Sequence, residues 1–386
     1  MDDLRVLAFC DYFRPDVGGG AERVAREVYG RMVRSGAEVS VVTTTGSAAP
    51  WRGLEPGLQV VEIPSMDLTR VLRFQRSLSF GGVRSVVPTL QGLRPHVLHA
   101  NSLEFETSRT AARLRALGRT PLVLTAHIAG FGEMPEPWKL LGALHDRTVG
   151  ARLLRRADRV IAVSRAVSRH LASLRTPSAK VRVVPNGVDH DVFRPPVERE
   201  GTRDPRILFV GRLVPNKGAD LAIDAIDTLL RDGRRAHLRI VGEGPLRGRL
   251  EARVRQLGLG ASVTFTGASS DVAGLLRGAD VFVRPTTTEG MSLAVLEAMA
   301  SGVCVVASDV PGNAELIRDG ENGLLARARD VDGLAASLRR AVDDPAGRRR
   351  LADAAFEDSQ AYSWDRCAKE TMDVLLETAR RTTPSR

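Results

Sequence analysis

Lysine is nearly missing from this chain: there are 4 lysines against 52 arginines, at a formal net charge of +10. So one-sided a choice of cation follows the codon bias of a GC-rich genome rather than a nucleic-acid footprint. Cysteine is scarce too, with only Cys10, Cys304 and Cys367. Three scattered thiols supply neither a disulfide framework nor a zinc ligand set, and they suit a reducing compartment. Long apolar runs are also lacking: no stretch approaches the roughly 18 residues of a membrane span. The opening MDDLRVLAFC is acidic and then directly strand-like, without a basic leader or cleavage pattern. A cytoplasmic protein is expected. With no D-x-D in a suitable loop and no cluster of metal-ligating side chains, so are metal-independent chemistry and no cofactor.

What is present points to a globular protein: 386 residues, 43% hydrophobic and 26% charged. That length predicts two domains of about 150–200 residues each. Residues 1–200 carry 29 basic and 20 acidic side chains, whereas residues 201–386 carry 27 and 26. A basic first half suits an acidic partner such as an anionic membrane surface or a lipid phosphate. A solvated, Arg-rich surface is the alternative. The stretch Asp67–Val87, with Leu68, Val71, Leu72, Leu78 and Phe80 among arginines, reads either as a basic amphipathic helix at a membrane or as a surface helix packed on the core.

Strand and helix patterns alternate almost throughout, which predicts parallel α/β sheets covered on both faces. Strands are expected at Val6–Cys10, Glu38–Thr43, Gln59–Ile63, Val97–Ala100, Leu122–Ala126, Val160–Ser164 and Val181–Pro185. A second series runs Arg206–Val210, Leu238–Val241, Val263–Thr266, Val281–Pro285, Val303–Ala307 and Gly323–Leu325. Between them RPPVEREGTRDP is rich in proline and charge, a linker composition. The expected domains are 1–197, onto which a C-terminal helix at 364–386 packs back, and 198–363. In open α/β sheets ligands bind beyond the carboxyl ends of the strands, so residues just after strands become the candidates.

Five such segments stand out. PTTTEGMSLAVLEAMAS at 285–301 sets Glu289 and Glu297 around the start of a helix. Its unpaired N–H groups suit an anion such as a diphosphate. Two carboxylates flanking that anion suit hydroxyls on either side of it, the pattern of a nucleotide sugar. RILFVGRLVPNKGAD places Arg212 and Lys217 after a strand, where a guanidinium and an ammonium neutralise a diphosphate. Gly18-Gly19-Gly20 after the first strand permits close backbone approach, with a plain flexible turn as the alternative. Glu22 behind it suits the helix dipole. His127, ending TAHIAG, lies at a strand end beside Gly130. Gly242-Glu243-Gly244 imitates a dinucleotide fingerprint, but the spacing to Gly248 is wrong and the motif falls mid-chain, so it reads as a loop lining a nucleotide site.

Taken together these segments resemble the retaining glycosyltransferases of family 4. The likeness runs from GGGAE at 18–22 through VVPNGVDHDVF at 183–193, FVGRLVPNKGAD at 209–220 and EGMSLAVLEAMASGVCVVASDVPGNAELI at 289–317 to GENGLL at 320–325. The resemblance implies a GT-B fold, two doubly wound Rossmann-like domains facing a central cleft, and transfer of a hexosyl group from a UDP- or GDP-linked donor with retention. In that reading His127, Arg212, Lys217 and Glu289 are catalytic. Gly19, Gly20, Gly242, Glu243, Gly290, Met291, Ser292, Leu293 and Glu297 bind the donor. Glu289 takes sugar hydroxyls, Glu297 the ribose, and Arg212 and Lys217 the diphosphate, which itself helps remove the acceptor's proton. Many members have Phe-Gly where this chain has Met291-Ser292, a difference that bears on sugar selectivity.

The acceptor is a hydroxyl, on a lipid-linked glycan or phospholipid of envelope or polysaccharide synthesis, or on a small soluble molecule. Segments Asn101–Glu106 and Phe131–Trp138 are expected to meet it. A sugar-nucleotide epimerase, a phosphorylase or an inactive nucleotide-sugar-binding protein remain as other classes. Nucleic acid is not an expected partner, and the oligomeric state is unread.

Overall fold

The computed structural model describes residues 4–14, 19–44, 55–67, 77–79, 82–130, 136, 138–197 and 204–382. The chain divides into two compact units. One comprises Met1–Gly130, Pro137–Gly187 and Trp364–Arg386, the other Phe131–Glu136 and Val188–Ser363. The division thus falls at Gly187, ahead of the proline-rich stretch.

In the first unit the strands are β1 (Arg5–Phe9), β2 (Glu38–Thr44), β3 (Gln59–Ile63), β4 (Ser65–Asp67), β5 (Ser77–Ser79), β6 (Val97–Asn101), β7 (Leu122–Ala126), β8 (Arg159–Ala162) and β9 (Val181–Val183). Seven form a parallel sheet in the order β3-β2-β1-β6-β7-β8-β9. Its central strands are buried on both faces, as Val6, Leu7, Ala8 and Phe9 show at 0% exposure. This is why they read as continuous apolar runs rather than alternating ones. β4 and β5 pair antiparallel apart from the sheet. That pairing corrects the reading of Asp67–Val87 as one helix: Ser77-Leu78-Ser79 alternates as a strand does, and a helix begins at Gly82. The remainder of that stretch, 68–76 and 80–81, lies outside the described residues.

The helix Gly20–Arg34 buries Val24, Val28 and Met32, spaced four apart on one face. Beside it packs the last helix, Trp364–Thr382, whose Asp365 meets Arg31 at 2.8 Å and whose Trp364 is 2% exposed. The chain's end therefore belongs to the first unit.

The second unit has β10 (Arg206–Val210), β11 (His237–Val241), β12 (Val263–Gly267), β13 (Val281–Arg284), β14 (Cys304–Asp309) and β15 (Leu324–Arg327), all parallel, in the order β12-β11-β10-β13-β14-β15. Helices at Ala219–Arg231 and Val331–Asp343 cover the sheet with Ile223, Ile226, Leu334 and Leu338 in one core with Phe209, Ile240 and Val306. In each sheet the strand order reverses beside the first strand, between β1 and β6 and between β10 and β13. Diverging loops at such a reversal open a crevice beyond the strand ends. No helix among the described residues is long and apolar enough to cross a membrane.

Candidate functional site

In the second unit the crevice lies between the ends of β10 and β13. Arg284 is the last residue of β13 and is buried, with Nη1 donating to the Val210 carbonyl at 2.9 Å. Its Nη2 reaches Glu289 Oε1 at 2.5 Å, and Lys217 Nζ reaches the same oxygen at 2.8 Å. One carboxylate oxygen thus serves two cations. Burial alone raises a carboxyl's pKa, but Lys217 and Arg284 outweigh it and hold Glu289 down at about 2. Lys217 is brought down to about 8 by burial, aided by Arg284 and Arg212 and opposed by Glu289. Arg212 itself is exposed.

The loop after β13 runs into the helix Leu293–Ala300, where Ser292 Oγ caps the Val295 N–H at 3.4 Å. Ser292 has φ −78° and ψ 112°, extended backbone that needs no glycine. Serine in place of the commoner glycine therefore costs no strain and adds a cap. Gly290 and Met291 are buried beside it, and Glu297 is 6% exposed in the helix's second turn.

Gly242 and Glu243 belong to the neighbouring loop. Gly242 sits at φ +139°, and a Cβ there would lie 1.9 Å from the Gly211 carbonyl oxygen, so only glycine fits. The Leu213 N–H donates to the Glu243 carbonyl at 2.9 Å, which ties this loop to the Gly211–Lys217 loop. The Glu243 side chain, however, is exposed and pairs with Arg247. The structure thus joins Lys217 to Glu289 directly, keeps Arg212 within electrostatic reach, and turns the Glu243 carboxylate elsewhere.

In the first unit the reversal lies between β1 and β6. Tyr12 and Ser102, shortly after these strands, hold positive φ of 52° and 104°. Backbone of this kind in non-glycine residues gathers at ligand sites. Asp11 accepts from the Glu106 and Thr107 N–H groups at 2.9 and 3.0 Å and thereby anchors the next helix. Glu22 does more than complement a dipole: its Oε2 accepts from the Gly19 N–H at 2.7 Å and ties down the glycine turn. Gly20 opens the helix behind that turn, while Gly18 lies outside the described residues.

Asn101, at the end of β6, donates through Nδ2 to the Ala21 carbonyl at 2.9 Å. Its Oδ1 therefore faces His127 Nε2, 3.0 Å away, as an acceptor. Nε2 carries the proton, and Nδ1 keeps a lone pair able to accept from a hydroxyl. Burial lowers the His127 pKa to about 4, so the ring is neutral near pH 7. His99 is instead a satisfied core histidine, bound to the Tyr29 hydroxyl at 3.1 Å and to Thr125 at 2.8 Å.

Two family models match consecutive stretches of the chain: "Glycosyltransferase Family 4" over residues 18–192 and "Glycosyl transferases group 1" over residues 193–358. The chain belongs to glycosyltransferase family 4. Among this family's proteins, a glycogen synthase of Mycobacterium tuberculosis (strain ATCC 25618 / H37Rv) is 32% identical over 289 residues, 73% of this chain and 69% of that protein. A GDP-mannose-dependent alpha-(1-6)-phosphatidylinositol monomannoside mannosyltransferase of the same strain is 29% identical over 401 residues, 96% and 98% of the two chains. Sucrose-phosphate synthase of Thermosynechococcus elongatus superposes with a TM-score of 0.84 at 22% identity, over 97% of this chain and 98% of that one. Its likeness, with the two parallel sheets, shows the GT-B fold of this glycosyltransferase.

Sequence reasoning passed over Arg284 and gave Asn101 no chemical role. A signal existed for each: a charged residue closing the apolar strand VFVR, and an amide closing the buried strand VLHAN. In buried parallel strands a polar terminal residue faces the ligand end of the sheet.

Proposed function

We propose that this glycosyltransferase moves a hexosyl group from a nucleotide-diphosphate sugar to a hydroxyl acceptor with retention of configuration, and that the donor binds at the β10–β13 crevice. The observation that carries the reading is the Lys217–Glu289–Arg284 cluster, half-buried around the buried Arg284, with Arg212 within electrostatic reach of Lys217. Two cations meet one carboxylate oxygen there, an excess of positive charge that a diphosphate completes. Lys217 and Arg212 take the diphosphate, with the N–H groups from Gly290 to Leu293 beside it. Glu289 Oε2 receives no hydrogen bond from the described residues and takes a sugar hydroxyl. Glu297 takes the ribose, and Gly242 supports the nucleotide loop. As the bond from the anomeric carbon to the phosphate oxygen breaks, the acceptor oxygen bonds that carbon on the same face and its proton passes to the departing diphosphate. The first unit's glycine turn at Gly19–Gly20 and neutral His127 are proposed to bind substrate.

An acceptor at an anionic membrane surface is favoured by one further observation. Along residues 138–156 the exposed side chains include Leu140, Leu141 and Leu144, then Arg147, Arg155 and Arg156. The lone acid of this run, Asp146, is buried against His170 at 2.9 Å. Apolar and cationic side chains exposed together suit a lipid interface. The mannosyltransferase relative is named for a phosphatidylinositol-linked substrate.

The test is donor turnover followed by mass shift, with UDP- and GDP-sugars offered against membrane extract and against soluble sugars. Alanine at Lys217 or Glu289 is expected to lower turnover about 10²–10³-fold, the loss typical of one group that stabilises transition-state charge. Near-normal turnover by either variant would overturn the roles. Conversion of donor without an acceptor would indicate an epimerase instead.

A further inference from the structure

Glu289 uses a single oxygen, Oε1, for both its cations. The two cations are held differently. Lys217 carries its ammonium on a four-carbon stem from the short turn Pro215–Lys217 after β10 and has Arg212 within electrostatic reach. Arg284 is fixed: it ends a buried strand, is 5% exposed, and spends Nη1 on the Val210 carbonyl at 2.9 Å. Its Nε is buried without a partner, so the guanidinium is placed for Glu289 and not for satisfaction of its own donors. The fold makes room for this placement. A Cβ at position 211 would lie 2.6 Å from Arg284 Nη1, and the residue there is glycine.

We infer that Arg284 is a positioning residue: it is the permanent counter-ion of Glu289, which leaves Lys217 free to exchange that carboxylate for the donor's diphosphate. This rests on the proposed donor site. With Arg284 present, departure of Lys217 leaves Glu289 still ionised and still oriented by Oε1. Without Arg284, Lys217 is the one partner left to the half-buried carboxylate among the described residues, and a diphosphate must compete for it. The charged groups that act on Lys217 include Glu289, Arg284 and Arg212.

The experiment is calorimetric binding of UDP and GDP to the whole chain in four forms: wild type, Arg284→Met, Glu289→Gln and the double variant. Arg284→Met is expected to weaken the nucleotide diphosphate roughly tenfold or more. Glu289→Gln is expected to bind it at least as tightly as wild type. In the double variant Lys217 has no carboxylate to hold it, so most of the lost affinity returns. Such rescue is a coupling between neighbours that a merely structural arginine does not produce. Arg284→Lys, which keeps the charge, serves if the methionine variant fails to fold, and near-normal affinity is expected of it. Arg284→Met affinity equal to wild type, or a double variant as weak as the single one, would overturn the inference. No binding of either nucleotide to the wild type would instead overturn the donor site itself.

Discussion

Replacing Glu289 with glutamine keeps the shape of the side chain and removes the charge that Lys217 and Arg284 share. Its carboxyl stands at about 2 against an ordinary 4.5. At about 1.4 kcal/mol per pH unit, the ionised form is favoured in the fold by roughly 3 kcal/mol. That stabilisation is present in full above the unfolded value of 4.5 and is lost as pH falls toward 2. The variant is therefore expected to be less stable by roughly 3 kcal/mol at pH 7, within reach of the usual cost of breaking a buried ion pair. Between pH 7 and pH 3.5 the gap should narrow by about 1 kcal/mol, because the unfolded wild type takes up a proton and the folded form does not. Urea unfolding of both proteins at the two pH values, followed by circular dichroism and by binding of an apolar dye, measures it. Equal stability at pH 7, or a gap that does not change with pH, would refute the claim that Lys217 and Arg284 hold this carboxylate ionised.

Other consequences are as direct. Lys217 loses its proton near pH 8 in the free protein. Donor kcat/KM should therefore fall about tenfold per unit above that pH, while kcat changes less because bound diphosphate retains the ammonium's proton; a flat kcat/KM to pH 10 would speak against the role. Ser292→Ala should cost about 1 kcal/mol through loss of the cap and Ser292→Gly only a few tenths, by thermal or urea unfolding. Gly242→Ala puts a methyl 1.9 Å from the Gly211 carbonyl oxygen. It should destabilise the second unit by several kcal/mol and separate β11's loop from Arg212, which hydrogen exchange at Leu213 would register.

The α/β architecture was legible because buried parallel strands write themselves as short apolar runs: Gln59–Ile63, Leu122–Ala126 and Arg206–Val210 fall where the pattern puts them. Strand ends were harder, since Asp309 and Arg327 continue strands past their apolar stretch through backbone pairing alone. Asp67–Val87 misled because leucines among arginines mimic a helical face, while β5 pairs with β4, a partner that periodicity cannot show. At the site, Lys217 and Glu289 were visible as charged residues after strands, and their 2.8 Å contact across 72 positions follows from β10 and β13 being neighbours. Arg284 was not visible, because a charged residue at the end of an apolar strand looks like its boundary. Only the strand order, which sets Val210 and Gly211 beside it, gives that arginine its place.

The proposed function requires the Lys217–Glu289–Arg284 crevice to receive a nucleotide diphosphate. Isothermal calorimetry of UDP and GDP against wild type and Lys217→Ala, at constant low salt and pH 7, measures whether it does. One of the two nucleotides should bind the wild type at a single site and the alanine variant at least tenfold more weakly. Equal affinity in the two proteins would contradict it.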